Sequence, residues 1–228
     1  MKIAKILGTA ALVSTLGVQA YAAPGAKDVL TTYADIAHAG YEDSLITAKE
    51  LQAAIDALVA QPSAETFGAA KSAWLAARAP YQQTEVYRFG NAIVDDWEGK
   101  VNAWPLDEGL IDYVETGLYG EESEENPAYT ANVIANPTLT ISGETIDAST
   151  IDTGLLESLH EIDDVEANVA TGYHAIEFLL WGQDLNGTDA GAGERKWTDY
   201  AAGDACTNGN CDRRGEYLQA AADLMVSD

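Results

Sequence analysis

Apolar residues recur at spacings of three and four through Leu30, Tyr33, Ala37, Tyr41, Leu45, Ala48, Leu51, Ile55 and Leu58. Such a stripe predicts an amphipathic helix of about nine turns over residues 26–60. It is expected to stop at Gln61-Pro62, because proline lacks an N–H and its ring clashes with the preceding turn. A second helix is expected to open at Ser63, which with Thr66 can cap it. It carries Phe67, Ala70, Trp74, Tyr81 and Tyr87 or Arg88 before Gly90, with a kink expected at Pro80. Between residues 90 and 150 the periodicity gives way to turns, with a short helix near 107–115 and a small hairpin over 138–146 around Gly143. A third long helix is expected over 153–180, on Leu155, Leu159, Ile162, Val169, Tyr173, Ile176 and Leu180. A Gly- and Asp-rich loop over 182–209 follows, then a last helix over 212–228 that runs to the end of the sequence without a stop signal. These elements define an all-α class: a long-helix bundle with extended ordered loops and a small β-hairpin. Long ordered loops often carry function.

The first 22 residues break this pattern. Lys2 and Lys5 precede an apolar run from Ile6 to Val18, and Ala20 and Ala22 follow with one residue between them. This is the layout of a cleavable signal peptide, with the cut after Ala22, and the run is shorter than the roughly 20 residues that span a bilayer. The mature chain over 23–228 is therefore expected in the periplasm or cell envelope. An oxidising compartment changes the reading of Cys206 and Cys211, the only two cysteines. They bracket Thr207-Asn208-Gly209-Asn210, a turn sequence, and read as a local disulfide that contributes about 2 kcal/mol.

Charge narrows the function classes. The 37 acidic residues against 12 Lys plus Arg give a formal charge of −25. Such a surface repels phosphate, and no basic patch offsets it, so nucleic acid is excluded as a partner. Apolar residues make up 47% of the chain, enough for a folded core. The same acidity weakens any single His/carboxylate pair as a signal, since each of the three histidines has an acid within one helical turn: His38 with Glu42, His160 with Asp163 and Asp164, and His174 with Glu177. His38 and His160 lie among polar residues and read as solvated surface. His174 and Glu177 are set among Tyr173, Ala175, Ile176, Phe178, Leu179 and Leu180, and a spacing of three places both on one helix face where they can share a metal ion. A second polar intrusion lies on helix two, where Trp74, Arg78, Tyr81 and Glu85 share one face that Trp74 marks as inward. Either Arg78 and Glu85 satisfy each other or nearby groups in a structural network, or Glu85 joins His174 and Glu177 in one pocket.

The run from Gly172 through His174 and Glu177 to Trp181-Gly182-Gln183-Asp184 resembles the GxHxxE signature of the imelysin family, exported bacterial proteins classed as M75 peptidases. Trp74, Arg78, Pro80, Tyr81 and Glu85, continuing to Phe89-Gly90, are similar to the family's other motif. Trp104-Pro105-Leu106-Asp107 and the stretch from Cys206 to Tyr217 resemble the iron-regulated branch. The resemblance implies two bundle-like halves, a site of His174, Glu177 and Glu85 near their junction, and a role tied to iron. Family members are about twice this length, so the chain is expected to be the first half of such a protein, with the missing C-terminal half completing the site.

The leading expectation is an exported protein of iron acquisition that binds a metal ion or iron chelate, with an envelope iron-uptake partner. One imidazole with carboxylates suits divalent or ferric ions; iron is favoured by the resemblance and zinc fits as well. The family's classification raises a metallopeptidase as the alternative, although the familiar zinc protease helix carries two histidines and a Glu between them. A helical envelope scaffold without catalysis is the third reading.

Overall fold

In the computed structural model the described residues are 23–228; the expected signal segment, 1–22, lies outside them. The chain divides into a unit Met1–Asp35 and a unit Ile36–Asp228. The described part of the first, residues 23–35, is exposed throughout and contains the opening turns of α1 (Ala26–Ala60). In the second unit α1 buries Ser44, Ala48, Leu51, Ile55 and Leu58, the apolar stripe expected from sequence.

Helix α2 (Ala64–Thr84) opens on a capping box in which the Ser63 hydroxyl accepts from the Thr66 N–H and the Thr66 hydroxyl accepts from the Ser63 N–H. Two otherwise unpaired donors are thereby satisfied. The helix continues through Pro80 and ends in a 3-10 turn, Glu85–Tyr87. Helix α3 (Ala92–Val101) was not expected; its buried residues, Val94 and Val101, are seven apart in a mostly polar stretch. Short helices α4 (Glu108–Ile111) and α5 (Thr116–Tyr119) follow. The expected hairpin is β1 (Thr138–Ile141) paired antiparallel with β2 (Glu144–Asp147), with Leu139 opposite Ile146. Ser142 and Gly143 both take positive φ, as a two-residue hairpin turn requires.

The third long helix is the main correction. Instead of one helix over 153–180 there are two, α6 (Thr153–Leu159) and α7 (Gly172–Trp181), separated by a non-helical segment with one 3-10 turn. Glu161, Asp163 and Asp164 adopt left-handed backbone conformations, and Gly172 has φ +81°. A Cβ at Gly172 would lie 2.6 Å from the Val101 carbonyl oxygen, so only glycine allows α7 to start against the end of α3. The last helix, α8, is Cys211–Ser227.

Helix α7 sits at the centre, packed on α2, α3, α4 and α8. That position explains why Tyr173, Ala175, Ile176, Phe178, Leu179 and Leu180 are all buried. The loops are ordered by side chains. Asn126 donates to Asp107 and to Asn168, and Asn168 donates to the Ile162 carbonyl. Arg213, on α8, donates to the carbonyls of Val133, Ile134, Ala148 and Ser149 and so ties the hairpin region to the helix.

A buried ionic network anchors the 182–210 loop to the rest of the fold. Arg214 donates to both Asp112 oxygens, and Arg195 bridges Asp112 at 2.8 Å and Asp199 at 3.2 Å. Burying two guanidinium groups is tolerable only because each has a carboxylate at hydrogen-bond distance. Cys206 and Cys211 are disulfide-bonded as expected, and within their loop Thr207 and Asn208 both donate to Asp199. No described helix is long and apolar enough to cross a membrane.

Candidate functional site

His174 and Glu177 lie on the one face of α7 that is not fully buried. The His174 Nδ1 and Glu177 Oε2 are 3.1 Å apart, with side chains 19% and 43% exposed. With an ionised Glu177 accepting, the proton sits on Nδ1 and Nε2 keeps its lone pair, the arrangement in which a carboxylate orients an imidazole ligand.

Both residues line an open cleft of about 850 Å³, together with Glu108 and Asp184. Its walls are aromatic: Trp74, Trp104, Phe178 and Trp181. Trp104 packs its ring 4.9 Å from His174 and remains 69% exposed. The Trp74 indole N–H donates to the Tyr173 carbonyl at 2.9 Å, and its ring meets Trp181 edge-on at 5.2 Å. Trp74 thus fixes α2 to α7 where the cleft opens.

Glu108 was not singled out in the sequence, yet it has the most perturbed carboxyl of the cleft. Burial pushes it up, Arg195 opposes this, and the charges of Asp184 and Glu177 push it further, to about 7. A carboxyl with that value gains and loses protons near neutral pH, a property common at functional sites. Its sequence signal was its place directly after the Trp104-Pro105-Leu106-Asp107 motif. Asp184 likewise closes the motif around His174.

Glu85 does not line this cleft. It lies eleven residues beyond Trp74, roughly 16 Å along a helix axis at 1.5 Å per residue. Its Oε2 is 3.7 Å from Arg88, and its charge helps, after burial, to raise the Tyr81 hydroxyl. Arg78 does not pair with Glu85 either. It donates to Asn102 Oδ1 and lies over the rings of Trp74, Tyr81 and Tyr173 at 5.7, 5.1 and 4.8 Å. Trp74, Arg78 and Tyr81 therefore brace the wall behind the cleft. Among the described residues, no three His, Cys, Asp or Glu side chains are grouped closely enough to hold a metal ion as they stand.

The other two histidines differ from each other. His38 is exposed and 4.0 Å from Glu42, as expected of a solvated residue. His160 corrects the expectation of a solvated position: its Nε2 donates to the Gly99 carbonyl at 3.0 Å, and its Nδ1 accepts from the Ala170 N–H at 3.3 Å. It pins the segment between α6 and α7 to the end of α3.

A family model described as imelysin (peptidase M75) matches residues 37–228. Among curated proteins, Iron-regulated protein A of Synechococcus elongatus is 35% identical over 60 residues, which are 26% of this chain and 17% of that protein. The matched stretch is thus a small part of that relative's length.

Proposed function

The chain belongs to the imelysin family, and from that premise we propose that it is an exported, non-enzymatic protein of iron handling that binds a metal ion in the cleft at His174 and Glu177. The observation that carries this reading is the His174–Glu177 pair, oriented by its own hydrogen bond at the lining of an acidic cleft. The name of the iron-regulated relative supports iron over zinc.

By type the donors suit such an ion, and since among the described residues no three stand close enough as placed, binding requires the cleft carboxylates to swing toward His174. His174 offers Nε2, Glu177 a second carboxylate oxygen, and Glu108 and Asp184 are the further carboxylates of the same cleft. Glu85, the third ligand expected from sequence, does not line this cleft, so as a donor there it would require α2 and its 3-10 turn to move. Bound there, the ion supplies Lewis acidity and open coordination positions. The protein's own part is to hold the imidazole in one tautomer, keep the cleft acidic, and brace α7 through Trp74 and Arg78.

Titration calorimetry with Fe(II) under anaerobic conditions and with Zn(II) tests this. Saturable binding that is lost in His174→Ala is expected, and absence of binding to the unsubstituted protein overturns the reading. Loss in Glu108→Gln but not in Glu85→Gln assigns the third ligand to the cleft; the reverse restores Glu85.

A metallopeptidase is the second reading, favoured by Glu108, whose carboxyl at about 7 suits proton transfer in a cleft large enough for a peptide. Hydrolysis of a peptide library that stops with chelator and with Glu108→Gln would support it over simple binding.

A further inference from the structure

The cleft is far larger than a metal ion needs. Water occupies about 30 Å³ in the liquid, and cavities of several hundred Å³ are those that take organic ligands. At about 850 Å³, most of this cleft stays free with an ion at His174. Its chemistry is one-sided. Three of the chain's five tryptophans line it, together with three carboxylates, Glu108, Glu177 and Asp184, and, among the described residues, no Lys or Arg.

From these walls we infer that the cleft binds a guanidinium-bearing side chain of a basic peptide, with its stem along the indole rings and its charged head among Glu108, Glu177 and Asp184. This goes beyond metal binding but uses the carboxylates proposed there as donors, so the two cations would compete for the cleft and the arginine site is tested with metal removed.

Three ligand classes are separated by charge. An anion would meet three carboxylates, and among the described lining residues the one basic group is the His174 imidazole, already hydrogen-bonded to Glu177. A neutral apolar ligand would strip more water from Glu108, which is already partly buried, and return nothing. A cation with an apolar stem satisfies both surfaces, since indole faces attract cations electrostatically and carboxylates accept paired N–H groups. The cations nearest by are engaged by other groups. Arg78 is engaged by Asn102, Arg195 by Asp112 and Asp199, and Lys71 by the Phe67 and Trp181 rings at 4.4 and 5.1 Å. Arg78 shows the same chemistry built into this fold, with a guanidinium stacked on three aromatic rings. Trp104 is the outer wall, a largely exposed indole beside His174 whose face is open to a cation entering the cleft.

The test uses N-acetyl-arginine amide and its neutral isostere, N-acetyl-citrulline amide, titrated into the protein with EDTA present so that no metal contributes. Saturable binding of the arginine probe is expected, at least tenfold tighter than that of the citrulline probe. Trp104→Ala and Asp184→Asn, both at the cleft edge, should each weaken arginine binding at least fivefold while far-ultraviolet circular dichroism stays unchanged. Equal affinity for the two probes, no binding of either to the folded protein, or arginine binding indifferent to both substitutions overturns the proposal. Because EDTA is present throughout, none of these outcomes bears on metal binding.

Discussion

Asp112 accepts two hydrogen bonds from Arg214, from Nε at 2.7 Å and from Nη2 at 3.0 Å, across 102 residues of chain. The same carboxylate lies 2.8 Å from Arg195, so one acid neutralises much of two buried guanidinium groups. Burial alone would raise the Asp112 carboxyl, but hydrogen bonding from Arg214 and the charge of Arg195 hold it below the usual range. Asp112→Ala leaves two buried cations short of a partner and should cost about 3–5 kcal/mol, read by chemical denaturation. The pH dependence has a definite sign. The folded value lies below the unfolded 3.8, so this contribution is present above pH 3.8 and is lost as pH falls through the folded value.

The disulfide loop belongs to the same network through Asp199, which accepts from Thr207 at 2.6 Å and from Asn208 at 2.9 Å. Replacing both cysteines, Cys206→Ser with Cys211→Ser, removes the constraint on a short loop and should cost about 2 kcal/mol. In a chain of this size that corresponds to a fall in melting temperature of about 4–8 °C, measurable by calorimetry. Reducing agent should produce the same fall in the unsubstituted protein and none in the double variant.

The sequence made some of this legible and concealed the rest for physical reasons. The boundary between α1 and α2 was readable because Gln61-Pro62 and the Ser63/Thr66 cap act locally. The hairpin and the disulfide were readable for the same reason. The break between α6 and α7 was not, because Leu155, Leu159, Ile162, Val169 and Tyr173 keep helical spacing even though Glu161, Asp163 and Asp164 turn left-handed. Spacing reports which residues are apolar and is blind to φ. The acidic residues Glu161, Asp163 and Asp164 around Ile162 carried the turn signal that the apolar spacing outweighed. At the cleft, His174 and Glu177 were found because they are close in sequence. Glu108 escaped because its environment is made by Arg195, Asp184 and Glu177, all distant along the chain.

Gly172 offers a sharp test of how α7 is placed. Alanine there would put Cβ 2.6 Å from the Val101 oxygen in a backbone conformation that side chains avoid, at φ +81°. Gly172→Ala should destabilise the fold by about 1–3 kcal/mol and weaken any ligand binding at His174, two residues on. Gly68→Ala is the contrast: it lies inside α2 with nothing within 4 Å of a new Cβ, and should stabilise by about 0.5–1 kcal/mol. Paired denaturation curves decide, and similar losses at both sites would remove the special role of Gly172.

Glu108 should leave a signature in the stability of the whole protein. Its folded value, about 7, lies above the ordinary 4.5 because burial, with the Asp184 and Glu177 charges, disfavours the carboxylate. Between those values the folded state binds more proton than the unfolded state, so Glu108 makes stability fall as pH rises from about 4.5 to 7. Above pH 7 the penalty is complete, on the order of 1–2 kcal/mol once screening by the open cleft is allowed for. Glu108→Gln cannot ionise, so at pH 8 it should be more stable than the unsubstituted protein by that amount, while at pH 4.5 the two should nearly coincide. Denaturation midpoints at four or five pH values across this window check it. Parallel curves for the two proteins would show that Glu108 titrates near its ordinary value and would remove the basis for assigning it proton transfer in the cleft.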